Sequence, residues 1–238
     1  MRAGKAAIGT QHWVKRYAGW QGDYAIDPES WEKLGLFASL LEEARLNVTA
    51  LRGQALWEKG ILDSLTVLTV ADQWEWAADI GSGGGFPGMV LAIVRPRRRM
   101  DLIEARVRRA DFLRQCAREL QLTRVRVFNE RAERLFGPDS SGREQYDLAT
   151  VRAVGTLRLT AELGLPAVRI GGQVVGLRGM QAREEAAAAS GWVSLLGGRI
   201  ARVVPVTLPS LEGARYLVVM EKMATTERKW PRIRHLGE

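Results

Sequence analysis

Cysteine is nearly absent from this 238-residue chain. Cys116 is the only one, so no disulfide framework exists and a cytosolic protein is expected. Histidine is scarce as well: His12 and His235 sit near the ends, and two histidines with one cysteine argue against a metal site. No stretch approaches the roughly 18 apolar residues of a membrane helix. The basic N-terminal MRAGKAAIGTQHW lacks the long apolar stretch of a signal peptide. Neither internal repeats nor low-complexity linkers interrupt the chain. A soluble protein away from membranes is expected. Its length suits one large α/β domain, or a domain with a small cap, whose core needs no staples.

Arginine, by contrast, is abundant and unevenly placed. The net charge is +8, from 35 Lys+Arg and 27 Asp+Glu. Residues 1–78 carry 8 basic and 10 acidic side chains, whereas residues 95–134 carry 13 arginines against 6 acids. A forked guanidinium suits phosphate, so a polyanion such as RNA is the functional implication. A solvated helix face is the bland alternative.

Along the chain, Asp27-Pro28 reads as an N-cap and first-turn pair. Trp31, Leu34, Leu36, Leu40 and Leu41 then form an apolar stripe at helical spacing. A second helical stretch is predicted near 54–70, with Ile61, Leu62, Leu65 and Leu68 on one side. From Trp76 the texture changes. Strands are predicted at WAADI (76–80), MDLIEA (100–105), RVRVF (124–128), YDLATVRA (146–153) and GGQVVGL (171–177). Helices fall between them, among them Val107–Leu122, 156–168 and Ala182–Ala189. RIARVVPVTL (199–208) and RYLVVMEKM (215–223) close the chain as a hairpin. Strands alternating with helices imply a mostly parallel sheet covered on both faces. A terminal hairpin that adds one antiparallel strand gives the seven-stranded architecture of the class I methyltransferases, which use S-adenosylmethionine (AdoMet). The expected organisation is a helical N-terminal extension over residues 1–70 packed on a methyltransferase domain of residues 71–238.

Residues 79–88, DIGSGGGFPG, place four glycines and a serine between Ile80 and Phe86. So little bulk lets a ligand lie on main-chain N–H groups, and glycine tolerates φ > 0 where the chain turns. The loop follows the first strand, where doubly wound sheets bind ligands. Glu104, ending the second strand, fits the acid that reaches ribose hydroxyls, and Asp79 could orient the loop or, through water, a ligand ammonium. Gly83, Gly85 and Gly88 also satisfy the dinucleotide pattern G-x-G-x-x-G, a weak signal alone. Pro87 sits awkwardly in it, because that version donates loop and helix N–H groups to pyrophosphate. AdoMet is favoured over a nicotinamide dinucleotide.

DIGSGGGFPGMVLAI resembles the first motif of the bacterial rRNA guanine-N7 methyltransferases, the glucose-inhibited division protein B family. So do Asn47-Val48-Thr49, Asp63-Ser64-Leu65, LIEARVRRADFLR (102–114), ERAE (130–133), VRAV (151–154) and the tail KWPRIRHLG (229–237), in the family's order. The resemblance implies methylation of N7 of one guanine in 16S rRNA, with naked RNA, the small-subunit particle and an assembly intermediate all open as the substrate; a cytoplasmic monomer is expected. It implies AdoMet contacts at Gly81, Phe86, Glu104, Ala105, Arg106, Ala132, Glu133 and Arg152, to which the glycine loop itself adds Gly83 and Asp79 as cofactor-binding candidates. Ala132-Glu133 would bracket the adenine, and Arg152 would face the transfer site as a positioning group. Three positions depart from the family: Gly60 replaces a histidine, Arg178-Gly179 replaces Lys-Gly, and Trp230 replaces a tyrosine.

The residues suit that chemistry. Guanine N7 has a lone pair and no proton, so no general base is needed, and the enzyme's work is alignment. The Asn/Asp-Pro-Pro-aromatic motif of exocyclic-amine methylation is replaced by ATVRAVG, and Cys116 has the spacing of a core residue. Arg152 could instead pair with Asp147 or Glu133. RNA-contact candidates are Arg108, Arg109 and Arg178, with Arg228, Lys229, Trp230, Arg232 and Arg234 of the tail; Trp230 could stack on a flipped base or pack the tail. The competing functions are a nicotinamide-dependent oxidoreductase and a non-catalytic RNA-binding protein.

Overall fold

A computed structural model describes residues 11–20, 25–44, 47–209 and 213–232; Arg234 and His235 lie outside them. Seven strands form one sheet: β1 (Trp76–Ile80), β2 (Arg99–Ile103), β3 (Val125–Phe128), β4 (Tyr146–Arg152), β5 (Val168–Arg178), β6 (Gly198–Val206) and β7 (Arg215–Lys222). Their order is β3-β2-β1-β4-β5-β7-β6. β1 to β5 are parallel, and β7 runs antiparallel between β5 and β6. The class I methyltransferase topology is thus present with its terminal hairpin. β5 starts three residues earlier than its apolar run, because Val168 still pairs with Tyr146 before a register shift. β1 is buried from Ala77 to Ile80, as a central strand covered on both faces must be.

Helix α1 (Pro28–Glu43) begins as its sequence predicts: Ser30 N–H donates to Asp27 Oδ1 at 2.8 Å, and Pro28 opens the first turn. Its buried face is Trp31, Leu34, Phe37, Ala38 and Leu41, whereas Leu36 and Leu40 are only half-buried. Phe37 displaces them because its ring packs on Phe86, centroids 5.7 Å apart. The stretch predicted as one helix near 54–70 changes type along its length. An α-turn (Gly53–Leu56) passes into a π-turn (Trp57–Leu62), a short α segment (Asp63–Leu65) and a 3-10 turn (Thr66–Thr69). Every residue from Leu56 to Leu68 except Lys59 is buried.

A helical stretch at residues 11–17 precedes α1, and the helices after β1 are α2 (Gly88–Val94), α3 (Val107–Glu119), α4 (Ala132–Leu135), α5 (Leu157–Gly164) and α6 (Ala182–Leu195). One apolar cluster joins Phe37, Leu41, Ile61 and Leu65 to Met89 of α2, Leu102 of β2 and Leu113 of α3. The second unites Ile80, Val151, Leu157, Val174, Val193 and Trp230. The helical segments before β1 therefore pack onto the sheet through α2, beside the carboxyl ends of β1 and β4.

Candidate active site

The strand order reverses between β1 and β4, and the loop 81–87 opens at that switch point. Two glycines have structural reasons. Gly85 takes φ +97°, and a Cβ there would meet Met89 and Phe37 at 2.9 Å; at Gly88 it would come within 2.5 Å of Asp79 and Leu102. Gly83 differs, because a Cβ would find nothing nearer than 3.7 Å. That openness leaves room for a ligand against the backbone. Gly81 is exposed and Phe86 buried.

Glu104 lies just past β2, and its buried carboxylate is fixed from both sides. Gly83 N–H donates to Oε2 at 2.9 Å and Arg106 N–H to Oε1 at 2.8 Å. Each oxygen keeps a free lone-pair direction for a hydroxyl donor. Asn129 Nδ2 donates to the carbonyls of Glu104 and Ala105, both at 3.0 Å, tying the β3 end to the β2 end. Ala132 and Glu133 follow β3, both buried; Glu133 Oε1 accepts from Arg131 Nη2 at 3.0 Å. Sequence reasoning missed Asn129, whose only signal was an amide at a strand end.

Asp79 is fully buried at the end of β1. Its Oδ1 accepts from Thr150 Oγ1 at 2.8 Å, while Oδ2 has no hydrogen-bond partner among the described residues. Burial pushes its pKa up to about 6, against the opposing pull of the Thr150 hydroxyl. A carboxylate half-satisfied under the loop suits a cationic ligand end. Thr150 was not singled out from sequence.

Arg152 ends β4 and pairs with neither Asp147 nor Glu133. Its Nη1 lies 3.3 Å from Asp63 Oδ2, and its guanidinium carbon 5.5 Å from the Phe86 ring centroid. Asp147 instead binds the N–H groups of Glu75 and Trp76 and the Arg169 guanidinium, at the amino end of the sheet. Gly60 is buried against the same ring: a Cβ there would stand 2.9 Å from Phe86 Cζ. A histidine at that position would have to displace the phenylalanine.

The expected RNA contacts divide into three groups. Arg108 is exposed and Arg109 half-buried at the start of α3, beside the loop; Arg109 Nη1 lies 3.9 Å from the Cβ position of Gly83. Arg178 is a correction. Its side chain is 9% exposed and bridges inward, donating to Gly155 O at 2.7 Å and to Thr160 Oγ1 and pairing with Glu185. The described part of the tail, to Arg232, lies elsewhere because β7 is antiparallel and delivers it to the amino ends of the strands, opposite the glycine loop. There Trp230 is buried edge-on to Trp192, centroids 5.0 Å apart, so it packs the tail and has no face free for a base. Arg232 stacks on Trp230 at 4.7 Å and makes a two-pronged pair with buried Glu162. Arg228 pairs with Asp139 and Lys229 with Glu227, both exposed.

A glycine loop at the switch point, an acid braced at the end of β2 and an antiparallel seventh strand define a class I AdoMet-dependent methyltransferase. Among solved structures, a SAM-dependent O-methyltransferase from Thermotoga maritima shares the fold, with TM-score 0.55 and 14% identity over 80% of this chain and 72% of that one. The family model described as rRNA small subunit methyltransferase G (GidB) matches residues 31–210, and the chain belongs to that family. Ribosomal RNA small subunit methyltransferase G of Chloroflexus aggregans is 40% identical over 193 residues, 79% of each chain. The Synechococcus elongatus protein of that name is 36% identical over 233 residues, 95% of this chain and 94% of its own. AdoMet, not a nicotinamide dinucleotide, is the cofactor.

Proposed function

We propose that the protein methylates N7 of one guanine in 16S rRNA of the small ribosomal subunit, in the cytoplasm. The observation that carries the reading is the end of β4. Where an exocyclic-amine methyltransferase needs a proton-accepting motif, this chain presents Arg152, a permanent donor already engaged by Asp63. An acceptor atom with a lone pair and no proton fits such a site. The names of the relatives supply the polymer.

Glu104 would hold the ribose hydroxyls, the open backbone at Gly83 the ligand's main body, and Ala132-Glu133 the adenine. Asp79 would face the ammonium end, through water. Bound AdoMet supplies a sulfonium methyl, so that the N7–C bond forms as the C–S bond breaks and positive charge passes from sulfur to purine with no proton moved. The protein's contribution is alignment of the two reactants. Around the mouth, Arg106, Arg108 and Arg109 make no side-chain hydrogen bond or ion pair among the described residues, which leaves them free for phosphate.

The test uses labelled AdoMet with hypomethylated small-subunit RNA or particles, followed by chain cleavage specific for N7-methylguanine. One cleaved guanine is expected. Glu104→Ala should weaken S-adenosylhomocysteine binding about 10- to 100-fold, the scale of charge-assisted hydrogen bonds lost. Arg152→Ala should abolish transfer while S-adenosylhomocysteine still binds. Label that resists this cleavage would refute the N7 assignment.

A further inference from the structure

The contacts of Arg152 reach beyond the cofactor cleft. On one side the 53–69 run grips the guanidinium: Nη1 meets Asp63 Oδ2 at 3.3 Å and Gly60 O at 3.5 Å, and Nη2 donates to Lys59 O. The π-turn Trp57–Leu62 brings both carbonyls to it, and such turns often mark functional sites. On the other side the guanidinium faces Phe86 of the glycine loop. The Asp63 side chain is 5% exposed and that of Arg152 18%, so water screens the pair poorly.

Resting on the N7 reading, a bare guanidinium would be a poor neighbour for this reaction. Positive charge moves from sulfonium to purine, and a second cation opposes its arrival, most strongly where the dielectric is low. A free guanidinium fork also seeks the N7 and O6 acceptors of guanine together. A hydrogen bond to N7 would occupy the lone pair that must attack. Asp63 counters both effects. It cancels the charge and, with the two carbonyls, occupies one side of the fork. Arg215 of β7 and Asp79 of β1 also act electrostatically on Arg152, with opposite signs, but neither hydrogen-bonds it. Arg215 acts on Asp63 as well.

We propose that Asp63 is a positioning residue for methyl transfer, holding Arg152 as a neutral, oriented pair whose remaining N–H groups address guanine O6 and leave N7 bare. Asp63 itself touches neither reactant.

Asp63→Asn separates this role from a structural one. Single-turnover transfer at saturating RNA and AdoMet should fall about 10- to 100-fold, as a misplaced reactive group predicts. S-adenosylhomocysteine affinity should stay near wild type at a temperature where the variant is folded, the melting temperature should fall because a poorly screened guanidinium loses its counter-charge, and RNA affinity should hold or rise because the site gains net positive charge. Arg152→Lys, which keeps the charge and loses the fork, should be slow whether or not Asp63 is also changed. A wild-type rate in Asp63→Asn overturns the inference, and so does a loss of S-adenosylhomocysteine affinity in step with the rate. A wild-type enzyme that labels no guanine N7 indicts the functional reading instead.

Discussion

Asp79 shows how one side chain couples the site to stability. Its neighbours cannot repay the loss of water, so burial holds its pKa near 6, above the 3.8 of an unfolded aspartate. Between those values the folded chain binds more protons than the unfolded one, so stability falls as pH rises. The cost is complete above about pH 6 and absent below about pH 4, and amounts to roughly 3 kcal/mol at 1.36 kcal/mol per pKa unit. Asp79→Asn lacks this titration while its amide oxygen can still accept from Thr150. Urea unfolding of both proteins across that range should show the variant gaining on wild type up to pH 6 and tracking it above. Parallel curves throughout would mean that Asp79 is not the titrating group. Saturating S-adenosylhomocysteine, which carries an ammonium group, should narrow the gap.

Elements differ in how far the sequence betrays them. β1 matched WAADI at both ends because a short apolar run bounded by Trp76 and a glycine loop admits one reading. The loop and Glu104 were legible for a similar reason: local glycines and a strand-end acid encode a local shape. The 53–69 run was not. Its apolar spacing predicts a helix but cannot tell an α-turn from a π-turn, and Asp63 gains meaning only when β4 brings Arg152 against it. The tail was equally hidden, because its destination depends on the antiparallel register of β7 with β5. At the amino end, buried Lys222 donates to Leu165 O at 2.7 Å and pairs with Glu144 at 3.0 Å, and Arg143 Nη1 donates to Trp230 O at 2.7 Å. Removing the indole from this clasp with Trp230→Ala should cost about 3–5 kcal/mol, typical of a large buried aromatic. Denaturant midpoints should fall while calorimetric affinity for S-adenosylhomocysteine stays unchanged, since the cofactor cleft lies at the other end of the strands. A parallel loss of affinity would contradict that separation.

Across the whole molecule, the arginine excess has two fates that sequence alone could not separate. Arg95 and Arg98 grip Asp72, and Arg126 closes on buried Asp101; these guanidinia serve the fold. Arg108 and Arg109 carry their charge beside the glycine loop with no ion-pair partner among the described residues. Arg228 is also exposed, but it is paired with Asp139 at the opposite end. If phosphates are gripped at the cleft mouth, binding of small-subunit RNA should weaken steeply with salt, since each phosphate contact releases condensed counterions. Fluorescence anisotropy between about 50 and 200 mM salt should then show the log–log slope shrinking by roughly 0.7–0.9 for each of Arg108→Ala and Arg109→Ala. Arg228→Ala should leave it unchanged. If all three variants shrink the slope equally, the RNA responds to net charge rather than to this face, and the mouth of the cleft is not where the phosphates lie.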